Sequence, residues 1–352
     1  MTTASESNPI GIIGFDFIEF SAPDTGPMEA LFENLGFSKL KIHETKNISY
    51  FQQNDIHFFL NAEKNSFAST FCQDHGPCAV STGWRVKNAQ HAFDTAIKRG
   101  ATVAEGPDLY KNGKPIPAIQ GVGGSLIYFT DDHHQANRLE RWGFQGIPQP
   151  KKVPPKGFYL IDHLTNNVFQ GQLEPLASFY KKVFGFTEVR YFDIKGEKTG
   201  LLSYALRSPC GSFCIPINEG TEDKSQINEY LRDYKGEGIQ HIAFLTPNIL
   251  ESMDAITSTS PIETLDIDDE YYQTVFKRVP NVTEDHQKIR TYNLLVDGDD
   301  DGYLIQIFTK NVIGPIFFEF IQRKNHTGFG EGNFGALFRA IERDQERRGV
   351  LE

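Results

Sequence analysis

One pattern of elements occurs twice in this 352-residue chain, and it constrains the fold more than any other feature. The segments Met28–Ser38 and Leu176–Thr187 each have the pattern of a short amphipathic helix, ended by glycine and followed by a strand. Trp84–Ile97 and Ala243–Ile256 form a second pair, in which a strand precedes a helix. The repeat predicts four strand–helix–strands modules, two in each half. The two modules of each half would close into an open barrel of strands.

A proline-rich, charged segment, Ile147–Lys156, separates the two halves. Such a composition is typical of a linker. With 39% hydrophobic and 12% aromatic residues, a chain of this length can build two cores. We therefore predict an N-terminal domain over residues 1–150 and a C-terminal domain over residues 151–352.

Near the C-terminus, a carboxylate interrupts an apolar strand. Glu319 lies in the middle of Gly314–Arg323, with phenylalanine or isoleucine on each side. Alternation along a strand directs Glu319 to the same face as Phe317 and Ile321. A carboxylate in such surroundings must be paired or must bind a cation. On this segment alone, a core Glu paired with Arg323 or a distant lysine remains an equal alternative.

Two histidines on other strands favour the cation. His163 and His241 each lie in an apolar run opened by glycine, which is typical of a strand. A single strand histidine is more often a hydrogen-bonded core residue, but three such residues with structural roles only are much less expected. Two imidazoles and one carboxylate on one face of an ion leave three positions open, as in non-haem Fe(II) oxygenases. We predict that His163, His241 and Glu319 are metal ligands.

Several long segments occur in an order that is typical of one enzyme family: Ile161–Val168, Arg190–Glu197, Ile215–Glu219, Gly236–Phe244, Gln306–Phe308, Gly314–Arg323 and Gly328–Val350. With these segments the chain resembles 4-hydroxyphenylpyruvate dioxygenases, particularly the bacterial form. The resemblance covers nearly the whole chain and is looser in the first half. It implies an α+β vicinal-oxygen-chelate fold, with two open β-barrel domains built from four βαβββ modules and a C-terminal helix over the active site.

The resemblance also implies an activity. The family's enzymes convert 4-hydroxyphenylpyruvate and O2 to homogentisate and CO2 by oxidative decarboxylation, ring hydroxylation and side-chain migration, in tyrosine and phenylalanine catabolism. One Fe(II) per subunit, a homo-oligomer (a dimer or a tetramer) and a cytoplasmic location are implied with it. Two alternatives stay open: a hydroxymandelate synthase-type enzyme, which hydroxylates the side chain, and a non-catalytic binding protein of the same fold.

The family's pocket residues correspond to particular positions of this sequence. The resemblance implies that four polar side chains act in catalysis: Ser203, Asn218, Gln226 and Gln240. It implies that seven further residues bind the substrate: Pro216, Phe308, Phe317, Asn333, Phe334, Leu337 and Phe338. Gln240 directly precedes His241, so regular alternation would turn it away from the metal unless the strand is bulged.

The net charge excludes some classes of partner, and the cysteine content bears on disulfide bonding. The formal net charge of −11 argues against nucleic acid and against an anionic membrane. No apolar stretch of about 20 residues is present, so we expect no membrane span. Four cysteines in a chain of this length do not form a disulfide framework, and we expect free thiols.

The repeat predicts that only the second half holds metal. Phe17 occupies the position in the first half that His163 has in the second, and Thr82 or a neighbour stands where His241 stands. We therefore expect the first half to have a structural or interface role. A rival cluster, Asp131–His134, follows an apolar strand as a loop would, and we do not expect it to bind metal.

The C-terminal segment after Gly332 predicts an amphipathic helix. Its apolar residues recur at helical spacing, and its remaining residues predict a solvated face. The predicted solvated face consists of Glu342, Arg343, Asp344, Glu346 and Arg347. Because the preceding Gly328–Gly332 segment can act as a hinge, we expect the helix to be a lid as well as a packing element.

Overall fold

The computed structural model describes residues 7–259 and 261–351. The start of the predicted N-terminal domain and the last residue of the predicted C-terminal domain therefore lie outside the described residues. The first half forms one eight-stranded sheet and a two-stranded ribbon. The sheet strands are β1 (Ile12–Ser21), β2 (Ser38–His43), β3 (Ile48–Gln53), β4 (Ile56–Asn61), β5 (Cys78–Val86), β8 (Ala118–Gln120), β9 (Leu126–Thr130) and β10 (Phe144–Gly146), and the ribbon is β6 (Tyr110–Lys111) and β7 (Lys114–Pro115). The sheet order is β10-β2-β3-β4-β1-β5-β9-β8.

The second half forms another eight-stranded sheet. Its strands are β11 (Leu160–Val168), β12 (Thr187–Lys195), β13 (Gly200–Arg207), β14 (Cys214–Gly220), β15 (Gly238–Leu245), β16 (Leu295–Gly298), β17 (Tyr303–Phe308) and β18 (Phe317–Lys324). They follow the order β12-β13-β14-β11-β15-β18-β17-β16. Both sheets are mixed, because parallel pairs lie beside the central strand of each.

Ten α-helices connect and cover the sheets in the described part of the chain. They are α1 (Gly26–Asn34), α2 (Phe67–His75), α3 (Ala89–Lys98), α4 (Arg138–Arg141), α5 (Leu173–Phe179), α6 (Gln226–Tyr234), α7 (Ile249–Thr257), α8 (Asp269–Arg278), α9 (His286–Thr291) and α10 (Phe334–Arg347). Side-chain caps explain where several begin: Ser66, Asn88 and Ser225 each accept a hydrogen bond from the helix's first turn. None of these helices combines the length and apolar composition needed to cross a bilayer.

The repeat predicted from the sequence is confirmed by strand pairing. β1 lies between parallel β4 and antiparallel β5, and β5 pairs in parallel with β9. β11 lies in the same way between β14 and β15, and β15 pairs in parallel with β18. The two curled sheets therefore share one topology, as the vicinal-oxygen-chelate interpretation requires.

The shared register identifies which residues of the first half correspond to the predicted ligands. Phe17 lies opposite Gly83, as His163 lies opposite Ala243. By the same comparison, Ser81 corresponds to His241. The neighbour of Thr82, and not Thr82 itself, therefore stands at that position.

Tyr128 completes the comparison, because its pairing with Gly83 matches that of Glu319 with Ala243. Phe17 and Tyr128 are fully buried in an aromatic core, and Phe17 contacts the Phe59 ring edge-on at 4.9 Å. A Cβ at Gly83 would lie 2.2 Å from the Phe17 ring, so glycine is needed there. The interior in which the second half carries the predicted metal ligands is filled by side chains in the first.

The two halves pack into one continuous apolar core. Trp84 of β5 contacts Phe184 at 4.8 Å between ring centroids, and Phe37 contacts Phe244 at 5.9 Å. No helix or strand occurs between β10 and β11, the region of the predicted linker. Lys156 in this region is buried, and its ammonium group donates to the carbonyl of Ala255.

A buried ion pair supports the first sheet. The Arg138 guanidinium donates to both oxygens of Asp16, at 2.9 and 2.6 Å, and the Asp16 side chain is completely buried. Burial opposes ionisation of Asp16, but the charge and hydrogen bonds of Arg138, with smaller contributions from His57 and Arg85, together outweigh it and lower the pKa of Asp16 to about 2. Asp16 is therefore a carboxylate at neutral pH, and its buried charge is stabilised mainly by Arg138.

We predict that Arg138→Ala lowers the free energy of unfolding by about 3–5 kcal/mol, because it leaves a buried charge without its main partner. Lys151→Ala is the control: Lys151 pairs with Glu33 while 73% exposed, so its loss should cost about 0–1 kcal/mol. Chemical denaturation of both variants measures the difference. The Asp16 contribution should be fully present above the ordinary carboxyl pKa of 3.8 and disappear as the pH falls to about 2. Equal losses in the two variants would contradict the prediction.

Candidate metal centre

Three neighbouring strands bring the predicted ligands together. β15 carries His241 and lies between β11, with His163, and β18, with Glu319. His163 and Glu319 are both opposite Ala243, two residues from His241 on the same face of β15. The small side chain of Ala243 leaves room for the three ligands to converge above it.

The ligand atoms face one another at short distances. Nε2 of His163 lies 3.3 Å from Nε2 of His241 and 3.0 Å from Oε2 of Glu319, and the third separation is 3.4 Å. Bonds of about 2.0–2.2 Å to a single ion place neighbouring ligand atoms about 3 Å apart. Among the described residues, these three form the one group of His, Cys, Asp or Glu side chains that could hold a metal ion.

Burial makes a cation favourable here. The three residues are between 2% and 9% exposed, and Oε1 of Glu319 has no hydrogen-bond partner in residues 7–259 and 261–351. Burial alone would raise the pKa of Glu319, but His163 and His241 together lower it to about 2. Burial likewise opposes the charge of His163, while Glu319 and Asp162 raise its pKa to about 9. The carboxylate therefore stays charged, and a metal ion can replace the proton of His163.

Each histidine is oriented by the residue directly before it. Nδ1 of His163 donates to the Asp162 carboxylate at 2.7 Å, and Nδ1 of His241 donates to Oε1 of Gln240 at 2.9 Å. In both rings Nδ1 carries the hydrogen, so the lone pair of Nε2 can bind a metal, although the Thr165 hydroxyl lies 3.0 Å from Nε2 of His241.

Two bulges make this arrangement possible. The register of β11 against β15 shifts between Ile161 and His163, so Asp162 is the extra residue. A second shift leaves Gln240 without a partner between Ile239 and His241. Gln240 also lines the cavity beside the ligands. Gln240 could face the metal site only if the strand were bulged there, and this bulge is present.

Arg323 does not neutralise Glu319. Its Nε and Nη2 atoms donate to Asp162 at 2.7 and 2.8 Å, and Nη1 donates to the carbonyl of Gly328 at 2.6 Å. The positive charge of Arg323 keeps the pKa of the half-buried Asp162 well below its ordinary value. The alternative in which Arg323 pairs with a structural Glu319 is wrong. Arg323 instead connects the partner of His163 with the glycine-rich segment before α10.

A cavity of about 160 Å³ opens beside the three ligands. Ten of the eleven predicted pocket residues line it: Ser203, Pro216, Asn218, Gln226, Gln240, Phe308, Phe317, Phe334, Leu337 and Phe338. Phe317 stacks on the His241 ring at 4.9 Å, and Phe308 approaches the same ring edge-on at 6.0 Å. The cavity therefore combines an aromatic wall with a few polar groups beside a possible metal site.

Asn333 is the exception, because it does not line this cavity. It is fully buried, and its Oδ1 accepts hydrogen bonds from the Tyr271 hydroxyl at 2.7 Å and from Arg278 at 3.2 Å. These bonds fix the turn in which α10 begins. Asn333 thus supports the start of the helix, and its role in substrate binding stays a prediction.

Gln306 was not singled out from the sequence, although it shares a strand face with Phe308. It is 1% exposed, and its Nε2 has no hydrogen-bond partner within the described ranges. A Cβ at Gly330 would lie 2.3 Å from this nitrogen, so the glycine-rich segment closes directly over it. Gln306 lies two residues before Phe308 in β17, so the alternation of strand faces could have shown that both point to the same side.

The rival cluster at Asp131–His134 serves local structure. Asp131 accepts a hydrogen bond from Lys111, and Asp132 accepts one from the Trp142 indole. All four cysteines are free thiols.

The solvated face predicted for the C-terminal helix is partly wrong. Glu342 is 4% exposed, whereas Glu346 and Arg347 are exposed as expected. Helical periodicity does not show what a long side chain reaches, and Glu342 reaches backbone amides of a neighbouring hairpin.

Comparison with known proteins agrees with this geometry. The model of the hydroxyphenylpyruvate dioxygenase N-terminal family matches residues 6–147. The model of the glyoxalase, bleomycin resistance protein and dioxygenase superfamily matches residues 160–307. The fold is also that of a solved mutant of 4-hydroxymandelate synthase from Streptomyces coelicolor, with a TM-score of 0.82, 21% identity and coverage of 95% of this chain and 99% of that one.

Relatives are similar over their full length. The chain is 56% identical to Protein MelA of Shewanella colwelliana, covering 99% of this chain and 100% of that protein. It is 44% identical to the 4-hydroxyphenylpyruvate dioxygenase of Legionella pneumophila and 44% identical to that of Pseudomonas aeruginosa, with 98% of each chain covered in both cases. On this similarity the chain belongs to the 4-hydroxyphenylpyruvate dioxygenase family.

Proposed function

We propose that this enzyme converts 4-hydroxyphenylpyruvate and O2 to homogentisate and CO2, with one Fe(II) per subunit held by His163, His241 and Glu319. The observation that supports this most is a buried set of two imidazoles and one carboxylate that opens into an aromatic cavity. Fe(II) held by such a set has positions left for a chelating 2-oxo acid and for O2, and it supplies the oxidising chemistry. Since the oxo acid belongs to the substrate, no separate 2-oxoglutarate is needed.

The polar wall supports recognition of a hydroxylated ring. Ser203 and Asn218 lie directly opposite each other on β13 and β14, so both face the cavity. Gln226 is the first residue of α6, and the bulge in β15 turns Gln240 toward the same cavity. In the proposal these groups bind the polar ends of the substrate and orient its ring relative to the metal. Hydrogen bonds of this kind discriminate strongly between substrates with and without the hydroxyl.

The aromatic wall supports the exclusion of water. Phe308 and Phe317 lie 6.2 Å apart beside His241, while Phe334 and Phe338 cover the cavity from α10. In the proposal these rings hold the substrate ring at the distance that hydroxylation needs. They also keep water away from the reacting groups.

The main alternative hydroxylates the side chain of the same substrate, as a hydroxymandelate synthase-type enzyme. Pro216 beside Asn218, together with the phenylalanine at position 308, favours the ring hydroxylase. For the first half we propose a structural and interface role, because its interior is filled by Phe17 and Tyr128. Assembly into a dimer or a tetramer and a cytoplasmic location remain predictions from the family.

We predict that the iron-loaded enzyme consumes O2 with 4-hydroxyphenylpyruvate and releases homogentisate, because its cavity presents the ring to the metal. Oxygen uptake combined with mass spectrometry of the product checks this. Formation of 4-hydroxymandelate would establish the alternative, and no turnover by protein with bound iron would support a binding protein. A requirement for 2-oxoglutarate would contradict the self-contained reaction.

We predict that His163→Ala, His241→Ala and Glu319→Ala each abolish turnover and lower bound iron by more than the roughly 10–100-fold seen when residues behind the ligands are changed. Folding should persist, since strand pairing surrounds the site without the ion. His133→Ala and His134→Ala are matched controls in the other half and should retain iron. Iron analysis together with activity decides: a ligand variant with full iron and normal turnover would exclude that residue.

We predict that Phe334→Ala and Phe338→Ala uncouple the reaction, so that CO2 released exceeds homogentisate formed. Oxidation of the oxo acid can continue when the ring is poorly held, and misplacement by about 1 Å can cost about a hundredfold in rate. The control is Phe20→Ala, which removes a fully buried ring from the first half. It should cost about 3–5 kcal/mol of stability with unchanged coupling. Tight coupling in all three variants would make α10 a packing element only.

A further inference from the structure

We propose that Glu342 latches α10 closed over the cavity by binding the backbone amides at the turn between β12 and β13. The effect on turnover rests on the function proposed above, whereas the latch itself can be measured without substrate. Glu342 would then be a positioning residue, which acts on the reaction through the cavity-lining side of its helix.

The contacts of Glu342 are unusually complete for a helix side chain. Oε1 accepts hydrogen bonds from the backbone amides of Lys198 at 3.0 Å and Thr199 at 2.9 Å, and from the Thr199 hydroxyl at 3.1 Å. Oε2 accepts a fourth from the amide of Glu197 at 3.2 Å. Consecutive amides that converge on one carboxylate form an anion-binding nest. Hydrogen bonds to an ionised group are stronger than those between neutral groups.

The hairpin turn is shaped to receive the helix. A Cβ at Gly196 would lie 2.6 Å from Oε1 of Glu342 and 2.7 Å from Cδ1 of Phe338, so only glycine lets α10 approach this closely. The amide that follows the nest, that of Gly200, donates to Glu222 at 2.6 Å instead. The three amides at residues 197–199 are therefore directed to the helix.

The same hairpin forms part of the cavity wall. Phe192 and Ile194 of β12 line the cavity, and Phe192 contacts Phe334 of α10 edge-on at 5.2 Å. Phe338, on the apolar side of α10, lies one turn before Glu342 and also lines the cavity. Insertion of Glu342 into the nest therefore holds the cavity wall formed by β12 against the covering helix α10.

Besides the buried hydrogen bond from Gln345 to Glu229 at 2.8 Å, α10 makes polar contacts that differ from that of Glu342 because they are exposed. Glu346 pairs with the Lys198 ammonium at 2.6 Å, with both side chains at least 40% exposed. Arg343 pairs with Asp268 at 2.7 Å at a partly exposed position. Exposed pairs contribute little because water and salt replace them readily. Release of the buried Glu342 instead requires four hydrogen bonds to be replaced by water, as would occur whenever the helix lifts.

The test compares Glu342→Ala with Glu346→Ala, a matched control on the same helix facing the same hairpin. Hydrogen exchange of the iron-loaded enzyme without substrate is followed over residues 197–199 and 334–347. One hydrogen bond to a charged group shifts an opening equilibrium by about tenfold or more. Glu342→Ala should therefore raise exchange in both segments by about 10–100-fold, and Glu346→Ala by less than about threefold. Glu342→Gln, which keeps one acceptor oxygen, should fall between them.

Gly196→Ala provides a second test from the hairpin side, since its Cβ would press on Glu342 and Phe338 while the sequence of the helix stays the same. It should reproduce faster exchange over residues 334–347 and, with 4-hydroxyphenylpyruvate, a raised ratio of CO2 to homogentisate. Equal exchange in Glu342→Ala and Glu346→Ala would overturn the latch. Faster exchange across β11 and β15 as well would also overturn it, because Glu342 would then stabilise the whole half. A wild type that forms no homogentisate would refute the proposed function and leave the exchange result valid.

Discussion

Neutralisation of the buried carboxylate of Glu319 is the constraint on which the second half depends. A charge that is 2% exposed must have partners within contact distance, and here they are two imidazoles. They can reach it only because β15 lies between β11 and β18 in the sheet. Strand order, the register at Ala243 and the bulge at Asp162 thus satisfy one electrostatic requirement.

The cover over this site is held by polar contacts at its edge and by aromatic contacts beneath. Phe334 and Phe338 supply the apolar side, and Glu342 and Gln345 supply buried polar contacts. Arg323 provides a further connection, because it binds both Asp162 and the carbonyl of Gly328. The support of His163 and the segment leading into α10 therefore share one guanidinium group.

The repeat and the convergence of His163, His241 and Glu319 could be predicted because each rests on local patterns, such as a carboxylate in an apolar strand. Features that depend on register or on distant partners were less predictable. The bulge at Gln240 could be stated only as a condition, and Asn333 supports the helix instead of lining the cavity. Glu342 was assigned to the solvated face because helical periodicity carries no information about amides almost 150 residues earlier.

The first sheet contains the bulge of the second without its ligands. Its register skips Asp16 between Phe15 and Phe17, as that of the second skips Asp162, and each aspartate is bound by an arginine. The backbone irregularity and its ion pair therefore persist in the first half, whose described residues include no group that could hold a metal ion. The bulge and the ion pair are therefore features of the repeated module itself. A few side chains at matching register positions determine whether the interior could hold an ion or is filled by aromatic rings. One scaffold thus accommodates, within a single polypeptide, an interior filled by aromatic rings and an interior that could hold a metal ion.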